Sequence, residues 1–136
     1  MRRLAEARSG PLDTPGDRAV VALALHHAYV ALESLIERAI HFFDEGVPSG
    51  SASHRALLHR AGLEVPDLRP ALLSAGALSP ARELLKFRHF LHHDYGAELE
   101  TAPLARLQEQ AARLAAVLPA DLDALDAWLG ALAAEG

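Results

Sequence analysis

Between Phe87 and Gly96 the chain reads Phe-Arg-His-Phe-Leu-His-His-Asp-Tyr-Gly, so Arg88, His89, His92, His93 and Tyr95 fall within one short stretch. Such side chains suit phosphodiester chemistry without a metal. An arginine is a permanent planar cation that grips a phosphate at two oxygens, and an imidazole, with an ordinary pKa of about 6.5, exchanges its proton near neutrality. RNA carries its own nucleophile in the ribose 2′-hydroxyl. Its cleavage needs a base for that proton, an acid for the departing 5′-oxygen, and positive charge where the phosphorane-like transition state turns anionic. General acid or base catalysis is worth on the order of 10²- to 10⁴-fold. We assign that role to His93, with Arg88 holding the scissile phosphate and stabilising its developing charge. His89 orients the pair or contacts phosphate in this reading, and Tyr95 offers a hydroxyl for hydrogen bonding and a ring for base stacking.

The spacing sets a geometric condition. At about 100° per residue, Arg88, His92 and Tyr95 share one face of a straight helix, whereas His93 points about 140° away from Arg88. Either the last turn before Gly96 is distorted or long side chains converge in a groove, against the same helix of a second subunit in one version. Which of His92 and His93 faces that groove stays open at the level of sequence.

Composition bounds what surrounds the cluster. A chain of 136 residues, 51% of them hydrophobic, suits one domain with one core. Thirteen Lys and Arg against eighteen Asp and Glu give a formal charge of -5, which argues against an electrostatic wrapper of nucleic acid and makes any RNA contact local. With no cysteine, disulfides and thiolate metal sites are excluded, and a reducing compartment is compatible. The apolar run from Ala19 to Leu32 is interrupted by His26 and His27 and is short for a membrane span. Met1-Arg2-Arg3-Leu4-Ala5-Glu6 has no long apolar segment behind it and does not read as a signal peptide. The expectation is a cytoplasmic protein with no membrane partner.

The elements that must position the cluster are helical. Residues 9–17 collect two prolines, two glycines and two aspartates, so residues 1–16 read as a flexible N-terminal segment and 17–136 as the folded domain. From Asp17, Val20, Leu23, Ala24, Tyr29, Leu32, Leu35, Ile36, Ala39 and Phe43 recur at helical steps toward a glycine cap at Gly46. After a loop through Ser51, Ser53 caps a short helix toward Gly62. Residues 62–79, with Pro66, Pro70 and Gly76 around Leu68, Leu72 and Leu73, read as a short helix between loops. Ser79-Pro80 is a helix-start signal for a second long helix ending at Tyr95 and Gly96. Thr101 caps a further helix, which Pro119 kinks or breaks before Leu122, Leu125, Trp128 and Leu129 continue its stripe. Four substantial helices with short connections predict an all-α, up-and-down four-helix bundle with short accessory helices. There is no glycine-rich phosphate loop or dinucleotide fingerprint.

Arg88, four residues, His93, one residue, Tyr95 is also where the chain resembles a known family. The pattern is similar to the Arg-x4-His-x-Tyr motif of HepT-like toxins in the HEPN superfamily, with His89 at the polar position after the arginine. Tyr29 with Glu33, Pro48 and Gly50, His54 with Leu57 and Leu58, and Arg69-Pro70 extend the resemblance across roughly Asp17 to Leu99. The resemblance implies a HEPN-like bundle and a metal-independent endoribonuclease with no cofactor. It further implies a homodimer, an RNA substrate, and silencing by a cognate minimal nucleotidyltransferase antitoxin that attaches AMP to the motif tyrosine, here Tyr95.

Other readings compete for individual residues. Tyr29 and Glu33, four apart, suit a buried phenol bonded to a carboxylate as well as a supporting role at the site. His54 reads as a surface residue or a contact behind the site, His26, His27 and His41 as packed or solvated, and Arg82 and Lys86 as solvated charges. Two alternatives of different class remain. His26, His27, His54, His92, His93 and Asp94 include metal-ligand types, and His93-Asp94 is the dipeptide of metal-dependent phosphohydrolases. The same groove also suits a module that binds a nucleotide or protein partner without cleaving anything.

Overall fold

The structure is a computed structural model that describes residues 7, 9–43, 51–93 and 98–135, with 51–53 and 93 described by their backbone alone. Four helices make up most of it: α1 (Pro15–Phe43), α2 (Ser51–Ala61), α3 (Ala75–His93) and α4 (Thr101–Glu135). The all-α bundle expected from periodicity is the one that forms. Among the described residues, β-structure is confined to an isolated bridge between Val65 and Arg69. α3 lies along α4 over the most extensive interface, and α1 packs against α2, α3 and α4. The expected cap at Gly46, the loop as far as Gly50 and the helix end at Gly96 fall outside the described residues, and α2 begins at Ser51, two residues before the expected cap at Ser53.

One apolar stripe per helix builds the core. α1 turns Val21, Ala22, Leu25, Tyr29, Leu32, Ile36 and Ile40 inward; α2 contributes Leu57, Leu58 and Ala61; α3 contributes Ala77, Ala81, Leu84 and Leu85; α4 contributes Leu104, Ala111, Leu114 and Leu118. Residues three and four apart share a helix face, and each fully buried leucine contributes roughly 1.5–3 kcal/mol of transfer free energy. α1 is long and apolar enough to cross a bilayer, beyond what the run from Ala19 to Leu32 suggested. Its inward stripe is nevertheless spent on contacts with the other three helices, as in the core helix of a bundle.

Local chemistry sets the helix boundaries. α1 begins at Pro15, two residues before the expected start. A reciprocal capping box fixes it there: Asp17 N–H donates to Thr14 Oγ1 at 3.0 Å and Thr14 N–H donates to Asp17 Oδ2 at 3.2 Å. Pro15 occupies the first helical position, where its missing N–H has no partner to lose.

At the other end of α2, the loop answers nearly every free carbonyl of the last turn. Gly62 N–H reaches Leu58 O and His59 O, Leu63 N–H reaches Arg60 O, and Leu72 and Leu73 N–H both reach Ala61 O. The short helix expected around Leu68, Leu72 and Leu73 does not form. Pro66 and Asp67 instead turn the chain: Leu68 N–H bonds Val65 O at 3.0 Å, and Asp67 has φ +65°. A proline followed by a positive φ is the signature of a type II turn. Arg69, 3% exposed, then folds back and donates to the carbonyls of Arg60, Leu63 and Pro70, tying the turn to the end of α2.

α3 starts at Ala75 rather than Pro80. Ser74 O accepts the N–H groups of Ala77 and Leu78, while Ser74 N–H and Oγ–H both donate to Asp121 Oδ2 of α4. Pro80 therefore lies inside the helix, buried. Pro119 likewise does not break α4, which runs on to Glu135 with Phe43 and Trp128 in ring contact at 5.3 Å. An exposed proline leaves one rung of the ladder unmade, and the packed stripes on both sides carry the helix across it.

Candidate active site

Three of the core stripes change character at neighbouring places. On α3 the buried positions Ala77, Ala81 and Leu84 are followed, one turn on, by Arg88. On α2 the stripe of Leu57, Leu58 and Ala61 is preceded one turn earlier by His54, and on α1 Tyr29 and Glu33 sit among Leu25, Leu32 and Ile36. Packing these stripes together brings the four polar groups into one network.

Glu33 is its centre and, at 7% exposure, its most deeply placed charge. Tyr29 OH donates to Glu33 Oε2 at 2.7 Å, and His54 Nδ1 lies 2.8 Å from Glu33 Oε1. Arg88 Nη1 lies 2.9 Å from His54 Nε2, 3.2 Å from its Nδ1 and 3.9 Å from Glu33 Oε1. The Glu33 carboxylate only accepts, so Nδ1–H donates to it and the ring's lone pair falls on Nε2. Arg88 Nη1 is close to both ring nitrogens, which places it over the face of the imidazole and off the in-plane lone pair of Nε2. Burial first, then the bond to Glu33 and its negative charge, pushes the Tyr29 phenol far above its usual range, with Arg88 opposing more weakly.

Within reach of the Arg88 charge, His26 gathers with two further imidazoles. The His26 ring of α1 lies 5.7 Å from the His92 ring in an edge contact and 6.0 Å from that of His27. Burial, followed by the positive charges of Arg88, His92 and His27, lowers the pKa of His26, favouring the neutral ring. Two buried nitrogens in this region have no hydrogen-bond partner among the described residues, His26 Nδ1 and Arg88 Nε. Buried donors without partners are rare in folded proteins and call for a ligand, water or ion. Arg88 thus has one nitrogen against the His54 ring and a buried Nε with no partner among the described residues, and its charge acts on His26.

The expected site residues divide as follows. Arg88, Glu33, Tyr29 and His54 come together. His92 lies on the Arg88 side of α3 through its contact with His26, and His89 is exposed on the same helix. His93 is the last residue of α3 by its backbone. Tyr95 and Asp94 lie outside the described residues. His26 was not singled out for this site from sequence. Its signal was present nonetheless, since His26, Tyr29 and Glu33 are spaced three and four apart and share a helix face. Among the described residues, no three His, Cys, Asp or Glu side chains converge as a metal-binding group.

Neither the curated proteins nor the solved structures compared with the chain give a match. A family profile does: the one described as HepT-like protein matches residues 20–129, most of the chain and every residue of the network. With its all-α bundle and that match, this chain belongs to the HepT-like proteins of the HEPN superfamily.

Proposed function

We propose that this protein is a metal-independent endoribonuclease, the toxin of a HEPN toxin and nucleotidyltransferase antitoxin pair, acting in the cytoplasm. Arg88 holds the scissile phosphate and His93 transfers a proton. The observation that carries the proposal is the setting of Arg88. It is a largely buried guanidinium whose Nε has no partner among the described residues, with Glu33 and His54 beside it and its charge acting on His26. That is a ready site for one anionic oxygen cluster in a protein whose net charge is negative, in keeping with a local rather than a wrapping contact with RNA.

Tyr95 is the proposed AMP acceptor, and His89 and His92 the proposed RNA contacts. The partner is the cognate nucleotidyltransferase. A homodimer is proposed on the same footing, and it agrees with the outward face of α1, where Val20, Leu23 and Val30 stay exposed at helical spacing. Expression of the chain alone in a bacterial host tests the pairing. Growth should stop with the wild type, continue with Arg88→Ala or His93→Ala, and recover when the nucleotidyltransferase is co-expressed, with the mass of one AMP added to the peptide containing Tyr95. Unimpaired growth with abundant, folded, unmodified protein would turn the assignment toward a binding module.

A further inference from the structure

We infer that His54 is the general base of this reaction, held in its working tautomer by Glu33 and placed beside the Arg88 guanidinium that binds the phosphodiester. The inference rests on the ribonuclease reading and divides its proton transfers between two histidines.

The geometry has the logic of a carboxylate, imidazole and substrate series. Glu33 is fixed at both oxygens, one by the Tyr29 hydroxyl at 2.7 Å and the other by His54 Nδ1–H at 2.8 Å, so the imidazole has one orientation and its lone pair sits on Nε2. Exposure is graded along the series. The Glu33 side chain is 9% exposed and that of His54 28%, which leaves the outer edge of the ring within reach of a ligand. Arg88 Nη1, 2.9 Å from Nε2 and 3.2 Å from Nδ1, sits over the ring face, with its hydrogens on the π cloud and off the in-plane lone pair.

Arg88 has a stronger use for those hydrogens. Its Nε–H is unpartnered, and a phosphate accepts two parallel N–H bonds from a guanidinium, each charge-assisted on both sides, where a neutral imidazole accepts one. A phosphate that takes Nη1 and its neighbours is bound beside His54 Nε2, where the adjacent 2′-hydroxyl must lie.

The step balances as follows. His54 Nε2 takes the 2′-hydroxyl proton, the 2′-oxygen forms its bond to phosphorus, and the bond from phosphorus to the 5′-oxygen breaks. The 5′-oxygen leaves with a proton from His93, giving a 2′,3′-cyclic phosphate and a 5′-hydroxyl. Water then returns both histidines to their starting protonation. The charged or titratable groups facing His54 are Glu33 and Tyr29 from α1 and Arg88 from α3, with His26 beyond Arg88.

The test measures cleavage of a short RNA at saturating substrate, together with binding of its 2′-deoxy analogue, which cannot be cut. His54→Ala should lose on the order of 10²- to 10⁴-fold in rate with binding of the analogue unchanged. Added imidazole should restore part of the loss, and the acid limb of the pH–rate profile should vanish with the side chain. Glu33→Gln should lose rate without imidazole rescue. Wild-type protein gives a readout independent of activity, since the ¹⁵N resonance of His54 Nε2 should move when the 2′-deoxy analogue binds beside it. A wild type that cleaves, with His54→Ala within a few-fold of it, overturns the role of His54 alone. Lost rate with weakened analogue binding and no rescue, or an unmoved Nε2 resonance, overturns it as well. A folded, unmodified wild type that leaves RNA intact overturns the ribonuclease reading and this inference together.

Discussion

Tyr29 and Glu33 show how a residue pair can serve core and site at once. The phenol is 1% exposed and its hydroxyl binds a carboxylate that has left water, so removing it costs more than an average hydrogen bond. Tyr29→Phe should destabilise the fold by about 1.5–3 kcal/mol in urea denaturation, the range for hydrogen bonds to charged groups; an unchanged midpoint would mean the bond contributes nothing. His26 makes a prediction with a defined sign. Its pKa is lowered in the folded state, chiefly by burial, so the unfolded chain binds the extra proton more readily. The contribution of the neutral ring is therefore present above about pH 6.5, the unfolded value, and declines as pH falls from there through the folded value. Melting temperature should drop less between pH 7.5 and pH 5 in His26→Gln than in the wild type, and equal drops would refute the assignment. At this scale the Tyr29–Glu33 pair was legible from its spacing of four residues, whereas Arg88 stood out by its residue type among histidines and by the family resemblance. His26 was left, with His27, as packed or solvated, and a face count with Glu33 separates the two.

Elements were legible where periodicity is long and opaque where a tertiary bond decides. α1 and α4 follow their stripes. The start of α3 does not follow the local signal at Ser79-Pro80, because Ser74 gains two bonds from Asp121, a residue far along the chain, and the helix is nucleated there instead. The missing helix after Gly62 has the same origin. Leucine spacing suggested helix, but the α2 carbonyls are answered by backbone N–H groups of residues 62–73 and by the Arg69 guanidinium, which requires an irregular path. Gly62 stands at that junction with no room for a side chain, since a Cβ there would collide with the Leu78 side chain, itself mostly buried. Gly62→Ala should cost about 1–3 kcal/mol, the range for overpacking, in thermal or urea unfolding. A variant as stable as the wild type would show that Leu78 yields freely.

At the scale of the whole molecule, the bundle gathers its chemistry where three helices exchange apolar for polar residues on their inward faces, and leaves an apolar row on the outside of α1. Val20 is 68% exposed and Leu23 55%, on a face that the proposed homodimer would cover. Sedimentation equilibrium should return twice the chain mass, and Leu23→Glu should shift it toward the monomer. A wild-type monomer at all concentrations would remove the dimer from the account. The bundle itself was legible from sequence, as was the region of the site. The arrangement of His54 between Glu33 and Arg88 was not, because it depends on how three stripes meet. The most direct test of the central claim is end mapping of a labelled RNA incubated in excess EDTA with purified, unmodified protein, beside the same strand carrying a single 2′-deoxy substitution at the cut site. The account predicts 2′,3′-cyclic phosphate ends from the RNA, an intact deoxy-substituted linkage, and no cleavage by folded Arg88→Ala or Arg88→Lys. Intact RNA with folded wild type, or cleavage of the deoxy-substituted linkage, would contradict it.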